Sequence, residues 1–336
     1  MAALATTALT LADLAKRLGP EGNLDRQIVE LLSQQNPILD DMGWVEGNTT
    51  TGNRTTVRTG LPTATWRLLN YGVQPTKSTT AQITDACGML EAYSKVDKKL
   101  IDISNDPQGF RLSEDSAHME GMAQQMATAV FYSSTTSNPE QIHGLSPRFN
   151  SLSASVATSA NIFDAGGTAS DNTSIWRVVW GEKTIAGIFP KGTKAGLQMK
   201  DLGEQTAFDT ASPPGEYQVM RTHFQWDAGL MVRDWRYASR ICNIDTTTAA
   251  GGLKSSTPPD LIKLMMQADD TPPSQSGGKT VWYMNRRCHT WLSIQASYKT
   301  NVHLTWEEFA GKKVLAFMGN PIRKVDALLN TESRLT

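Results

Sequence analysis

Residues 47–87 read GNTTTGNRTTVRTGLPTATWRLLNYGVQPTKSTTAQITDAC, a threonine-rich stretch that decides the fold. Threonine favours extended backbone, so we predict an outgoing strand over residues 54–59 and 65–69 and a returning strand over residues 77–87, with the tip near residues 71–75. Few apolar residues lie on either face of this hairpin, and an isolated two-stranded ribbon is marginal in water. We therefore expect the ribbon to pack on a neighbouring copy of the chain, as in an assembly subunit.

A long helix is predicted directly after the hairpin. The returning strand continues over residues 89–99, and Asp106-Pro107 then supplies a capping carboxylate and a first-turn proline. The helix is expected to run over residues 107–134. Apolar side chains recur along it at helical spacing and are expected to form its core stripe: Met119, Met122, Met126 and Val130.

The bulk composition excludes several classes of function. The chain has 336 residues, 39% of them apolar, and a net charge of -1, so it has no strong field for nucleic acid or anionic membranes. Its three cysteines, Cys87, Cys242 and Cys288, are far apart and form no zinc or disulfide pattern. We expect reduced thiols, no secretion signal, no membrane span and a soluble protein made in the cytosol.

The rest of the chain is predicted to mix helices with antiparallel strands. Residues 10–45 form short amphipathic helices of an arm, and residues 150–174 form a small, polar surface loop. A β-rich block follows, with strands over residues 175–180, 184–189, 217–226 and 230–244 and a break at 227–229. The last third holds a helix from Asp260, a strand over 280–284, a helix over 286–297, a turn at 306–309, and paired strands over 314–317 and 322–325.

No catalytic or cofactor motif is present. The sequence lacks a nucleophile elbow, a Walker loop, a dinucleotide fingerprint and an HExxH motif, so we expect no cofactor and no metal. Asp227, Asp234 and Asp245 are candidates for a carboxylate cluster, although each is more simply a strand-edge or turn residue. An aromatic and basic platform for single-stranded nucleic acid is a second alternative, drawn from Trp226, Trp235, Tyr237, Arg233, Arg236 and Arg240.

The order of the predicted elements resembles that of the major capsid proteins of tailed bacteriophages with the Hong Kong 97-type fold. Short motifs of the last third carry part of the resemblance: DLIKL at residues 260–264, WYMN at residues 282–285 and FMGNPI at residues 317–322. The segment RTGLPTATWR at residues 58–67 is similar to a podovirus-type subfamily. The resemblance covers nearly the whole chain.

The resemblance implies an α+β fold with peripheral and axial domains. We expect five segments: an N-terminal arm (1–45), an extended hairpin loop and its base (46–99), a peripheral domain (100–150) with a spine helix (107–134), an axial domain with a β-rich insertion (151–310), and C-terminal strands returning to the peripheral domain (311–336).

The resemblance also implies a structural function. The expected protein is no enzyme but a coat protein, which assembles into hexamers and pentamers of an icosahedral head around double-stranded DNA. Its partners are expected to be copies of itself, scaffolding, portal and cement proteins, and DNA bound without sequence specificity, with no membrane. Assembly is expected in the bacterial cytoplasm, and the virion head is the final location.

The hairpin is expected to supply contacts to the neighbouring subunit from five side chains: Arg54, Arg58, Trp66, Arg67 and Lys77. Lys77 is expected to be solvated, although covalent crosslinking occurs in some relatives. The alternatives are another phage assembly subunit, such as a tail-tube or portal-associated protein, and a soluble enzyme.

Overall fold

The computed structural model describes Leu9, Asp13 and residues 33–104, 106–168, 170–209, 214–247, 252–274, 277–298, 304–309 and 312–336. Asp13 is helical, and the rest of the two helices predicted between residues 10 and 33 lies outside these ranges. For Tyr298 and for residues 304–309 and 312–314 the structure describes the backbone alone.

Thirteen strands of the described ranges join in one sheet. They are β1 (Trp44–Glu46), β2 (Gly52–Gly60), β3 (Thr79–Asp97), β4 (Ile162–Asp164), β5 (Asn172–Trp180), β6 (Ile185–Phe189), β7 (Gln198–Phe208), β8 (Glu216–Val232), β9 (Ala238–Asp245), β10 (Lys279–Met284), β11 (Leu304–Phe309), β12 (Lys312–Phe317) and β13 (Asn320–Lys324).

The strands follow the order β11-β12-β13-β10-β5-β6-β8-β3-β2, with β1 beside β6, β7 beside β8, and β9 between β4 and β5. Most neighbours are antiparallel, as predicted, but β1 with β6, β4 with β9, β5 with β6, and β10 with β13 are parallel. The sheet is therefore mixed.

The helices of the described chain are α1 (Ile38–Asp41), α2 (Lys98–Ile103), α3 (Pro107–Tyr132), α4 (Leu261–Asp269) and α5 (Arg286–Tyr298). The predicted start of the long helix is confirmed, because the Asp106 side chain accepts a hydrogen bond from the Gly109 amide at 3.0 Å and Pro107 opens the first turn. The mixture of one large sheet with segregated helices confirms the α+β class.

The core lies on both faces of the central strands. Every residue of β5 is buried. Successive side chains of a strand point to opposite faces, so Trp176 packs in the cluster around α3 while Ile175 packs in the cluster around α4 and α5. On β10, Tyr283 and Trp282 divide in the same way. The central strands are therefore apolar without alternation, which is typical of strands covered on both sides.

A buried polar network fixes the C-terminal segment to α3 and the sheet. Arg240 Nη2 donates to Glu332 Oε2 at 2.9 Å, and the hydroxyls of Tyr132 and Ser174 donate to the same carboxylate. Burial and the charge of Glu332 raise the pKa of Tyr132 well above its usual range. The last residue of α3, a sheet strand and the end of the chain therefore share one satisfied network.

Two predictions in the β-rich block are wrong. The break predicted at residues 227–229 does not occur, because β8 pairs with β3 and with β6 through Gly229. A Cβ on Gly229 would lie 2.8 Å from the Ala86 carbonyl oxygen, so glycine here permits close strand approach. The single strand predicted over 230–244 is interrupted by a 3-10 turn at Trp235–Tyr237, where the Asp234 side chain accepts from the Arg236 amide.

Three further expectations need correction. Residues 150–174 are not a plain loop, since they contain a 3-10 turn (Ala157–Asn161), β4 and the first residues of β5. The turn predicted at residues 306–309 is part of β11, which pairs along its length with β12. The strand β7 was not predicted, because it lies at the surface beside β8 alone and its sequence is polar.

Candidate functional site

The hairpin of β2 and β3 extends away from the rest of the chain. Its strands pair from Gly52 with Ala86 out to Gly60 with Thr79, and every residue from 61 to 84 is exposed. We call residues 53–84 the extended loop and residues 61–78 its tip. An exposed ribbon of this length has no packing partner among the described residues, which is the property that the threonine-rich sequence predicts.

Polar side chains order the tip from within. The hydroxyls of Thr59 and Thr79 lie 3.1 Å apart at the end of the ribbon, and the Thr76 hydroxyl donates to the Thr63 carbonyl at 2.9 Å. A turn follows in which the Tyr71 amide donates to the Leu68 carbonyl, with Asn70 at a φ of 66°. Two hydrogen bonds therefore lie within the tip, while its large apolar side chains face solvent.

The tip carries a concentrated apolar surface. Trp66 is 104% exposed and Leu69 is 89% exposed. The other large exposed apolar side chains of the tip are Leu61, Leu68, Tyr71 and Val73. An apolar patch of this kind marks an interaction surface. The sequence reasoning missed it, since it judged the whole hairpin poor in apolar residues; the signal was WRLLNYGV at residues 66–73.

All the charges of the extended loop are positive. Arg54, Arg58, Arg67 and Lys77 are exposed, and residues 53–84 contain no Asp or Glu. The loop therefore contributes +4 to a chain whose net charge is -1, which leaves -5 on the other residues. A cationic, apolar loop favours an acidic, apolar surface as its partner.

A buried ion pair anchors the root of the loop. Asp85 is buried, and its Oδ1 lies 2.7 Å from Arg148 Nη2. The Val232 amide donates to the other oxygen of Asp85, and Arg148 also donates to the carbonyls of His143 and Leu230. Burial and the Arg148 charge lower the pKa of His143. The loop is therefore held rigidly where it leaves the body.

The predicted stripe of the long helix lies on its core side. Met122, Met126 and Val130 are buried, and Met119 is half-buried against the same cluster. The five predicted contact residues of the hairpin, Arg54, Arg58, Trp66, Arg67 and Lys77, all lie exposed on the extended loop.

The alternative sites are not assembled. Asp234 pairs with Arg236, Asp245 accepts from the Thr247 amide, and Asp227 accepts from Gln225, so each aspartate has a local structural partner. Trp226 and Arg240 are buried, so the aromatic and basic residues do not form an exposed platform.

The cysteines form no disulfide. All three cysteines are free, and burial raises the pKa of Cys87 to about 11. Across the residues that the structure describes, no three His, Cys, Asp or Glu side chains group as metal ligands. No helix within those ranges has the length and apolarity to cross a membrane.

Comparisons with known proteins agree with this geometry. A family model described as major capsid protein GP7 matches residues 19–336. Among solved structures, the chain is similar to that of bacteriophage Epsilon15, with 38% identity, 100% of each chain covered and a TM-score of 0.81. The search of curated proteins gave no match.

Two further solved structures are much less similar. The capsid of the native GTA particle is 11% identical over 71% of this chain and 99% of that chain, with a TM-score of 0.43. A structure from Mycobacterium phage Bobi is 11% identical over 69% of this chain and 97% of that chain, with a TM-score of 0.42. Similarity this low adds nothing to the Epsilon15 match.

Proposed function

This chain belongs to the major capsid protein GP7 family and is a phage major capsid protein of the icosahedral head, and we propose that its extended loop holds that head together by packing on a second copy. The predicted Hong Kong 97-type capsid fold is confirmed by the match over the full chain to the Epsilon15 structure. A major capsid protein has a structural role, which we therefore favour over the tail-tube, portal-associated and enzyme alternatives.

The exposure of residues 61–84 supports the proposal most directly. Six large apolar side chains of the tip, Leu61, Trp66, Leu68, Leu69, Tyr71 and Val73, face water in the single chain. Apolar burial contributes about 25 cal/mol per Å², so covering them with another copy supplies the driving force for association. Arg54, Arg58, Arg67 and Lys77 then select an acidic surface and set the orientation of the contact.

The finer organisation of the head is part of the same proposal. Copies of the chain close into hexamers and pentamers, because a head-to-tail contact whose rotation closes produces rings. The N-terminal arm (1–45) reaches a further neighbour, the segment 100–150 with its spine helix forms the peripheral domain, and residues 151–310 form the axial domain. The strands of residues 311–336 return to the peripheral domain.

The proposal extends to partners outside the shell. Scaffolding, portal and cement proteins assist assembly in the host cytoplasm, and double-stranded DNA is enclosed without sequence specificity. The net charge of -1 suits a container for DNA, since a strongly basic wall would trap the genome during packaging. The chain has no catalytic role in this scheme.

Loop deletion with electron microscopy tests the proposal. Residues 54–84 are replaced by a two-residue turn, so that Asp85 and its bond to Arg148 remain. We expect a folded subunit that forms no capsomers or shells under conditions where the parent chain forms them. Normal shells from the deletion variant would refute the role of the loop.

A further inference from the structure

The carboxylate of Glu332 lies where three separate parts of the chain meet. Glu332 is only 8% exposed, and it belongs to residues 325–336, a segment after β13 without helix or strand, which we call the strap. Its Oε2 accepts hydrogen bonds from Arg240 of β9 and Ser174 of β5. Its Oε1 accepts from Tyr132, the last residue of α3. One buried charge therefore connects α3 with two central strands.

Buried side chains and one backbone bridge hold the strap in place. Val325, Ala327 and Leu328 are buried in the main core cluster. The amide of Glu332 donates to the Asn172 carbonyl of β5 at 2.9 Å, and the Asn172 amide donates back at 3.3 Å. The carboxylate of Glu332 is therefore brought to a defined position on the sheet.

The end of α3 has both apolar and polar contacts to the central strands. The ring of Phe131 packs against Trp176 and Tyr283, with ring centroids 6.4 Å and 6.3 Å apart. Apolar burial is not directional, so these contacts hold the helix on the sheet without fixing its position along it. The hydrogen bond from Tyr132 to Glu332 has a defined geometry, and we infer that it fixes that position.

The same network reaches the root of the extended loop. Arg240 Nη1 donates to the Phe149 carbonyl at 2.8 Å. The preceding residue, Arg148, forms the buried ion pair with Asp85 that anchors the loop. A continuous path of bonds thus joins Glu332, through Arg240 and residues 148–149, to the point where the loop leaves the body.

Burial makes this path depend on both charges of the central ion pair. Arg240 is 4% exposed, and its guanidinium lies over the Trp176 ring, 5.1 Å from the centroid. Removing one partner of a buried ion pair leaves the other charge without compensation, which costs far more than losing a surface pair. Without Glu332, the Arg240 side chain is expected to turn toward water and to release the Phe149 carbonyl.

We propose that Glu332 and Arg240 are positioning residues for shell assembly. They fix the end of α3 and the root of the extended loop relative to the central strands, and thereby set the angle between neighbouring subunits. This inference rests on the proposed function of the loop and adds a determinant of shell curvature. Because a closed shell repeats its contacts from copy to copy, a small error in this angle accumulates. Loss of the ion pair therefore changes the shape of the assembly.

The diameter of assembled particles provides the first test. Glu332→Gln removes the charge at nearly constant volume, and electron microscopy measures the particles formed by the full chain. We expect the fraction of closed shells with the parent diameter to fall by about tenfold, with open sheets and shells of other diameters in their place. Glu182→Gln, the same chemical change at an exposed site, is expected to behave as the parent.

A second control separates positioning from stability. Leu292→Ala removes a buried side chain of the cluster around α4 and α5, which lies apart from the strap network. We expect it to lower the thermal melting temperature and the yield of shells while the diameter stays that of the parent. If Glu332→Gln also gives fewer shells of unchanged diameter, its role is stability alone and the proposal is overturned.

A milder variant keeps the test decisive if Glu332→Gln does not fold. Tyr132→Phe removes only the hydroxyl that joins α3 to Glu332 and keeps the packed ring. We expect a folded subunit whose particles show a smaller spread of diameters of the same kind. Parent-like diameters from folded Tyr132→Phe subunits would contradict the inferred positioning of α3.

Hydrogen exchange in the isolated subunit tests the path to the loop root. The Leu329 amide donates to Tyr132 and the Val232 amide donates to Asp85. In Glu332→Gln we expect both amides to exchange about tenfold faster, while the amides of β10 stay as in the parent. Faster exchange at Leu329 alone would overturn the link to the loop.

The outcomes also separate this inference from the proposed function of the loop. If the chain without residues 54–84 forms normal shells, the loop function itself fails. If that deletion blocks assembly while folded Glu332→Gln and Tyr132→Phe subunits form shells of the parent diameter, the loop function stands and the positioning role of Glu332 is refuted.

Discussion

The extended loop and α3 are both long elements that carry large apolar side chains, and they treat those side chains in opposite ways. Met122, Met126 and Val130 of α3 are buried against the sheet of their own chain. Trp66 and Leu69 of the loop face water. Apolar burial within the chain stabilises the subunit, whereas apolar exposure on a rigid ribbon leaves free energy for association. Folding and assembly are therefore expected to depend on separate sets of residues.

The largest effect is expected from a core residue of α3. Met126→Ala removes a buried side chain and is expected to lower the free energy of unfolding by about 2–5 kcal/mol, because the cavity fills only partly. Denaturant unfolding of the isolated subunit measures the change. Met89→Ala is the matched control, since Met89 is exposed and its loss is expected to change stability by less than about 0.5 kcal/mol. Equal losses from the two variants would contradict the comparison.

A pH dependence is expected from the body and not from the loop. Burial, with a smaller effect of the Lys324 charge, lowers the pKa of His289 from 6.5 to about 4. Between about pH 6.5 and pH 4, His289 is thus neutral in the folded chain and protonated in the unfolded chain. The resulting stability is fully present above about pH 6.5 and is lost as the pH falls toward 4.

Unfolding between pH 7 and pH 4 measures this contribution. We expect His289 to contribute about 1–2 kcal/mol to the fall in the free energy of unfolding over this pH range, after allowing for solvent screening at a half-buried site. In the His289→Asn variant the free energy of unfolding is expected to fall less between pH 7 and pH 4, by that amount. The loop has only arginine, lysine and tyrosine as ionisable side chains, so its deletion is expected to leave the His289 contribution intact. If His289→Asn leaves the pH dependence of the free energy of unfolding unchanged, His289 is not its source.

The smallest effect on folding is expected from the loop. Trp66→Ala is expected to change the free energy of unfolding by less than about 0.5 kcal/mol, because the side chain is fully exposed to solvent. The same variant is expected to raise the concentration required for assembly by about tenfold or more, since buried tryptophans dominate interfaces. Unfolding and sedimentation measure the two effects. If Trp66→Ala lowers the free energy of unfolding as much as Met126→Ala does, folding and assembly do not depend on separate sets of residues.

The sequence predicts the parts of the fold that depend on local chemistry. Asp106-Pro107 starts α3 because the cap and the proline act within one turn, and the threonines of β2 favour extension wherever the strand lies. Alternation on β3 was likewise predictable: Ala92 and Ser94 lie inward while Glu91 and Tyr93 face outward.

Long-range pairing decides the parts that the sequence does not predict. Gly229 resembles a strand end locally, yet it is required where three strands approach closely. The polar strand β7 exists because β8 offers it an edge. For the candidate site, exposure of the charged loop residues followed from sequence. The anchor of Asp85 on Arg148 did not, since it joins segments far apart in the chain.

Hydrogen exchange of residues 61–78, measured on the isolated subunit and on the assembled shell, tests the central claim most directly. The account predicts fast exchange of these amides in the subunit and strong protection in the shell, while the amides of α3 stay protected in both. Equally fast exchange of the tip in subunit and shell would contradict it, because no second copy would then cover the loop.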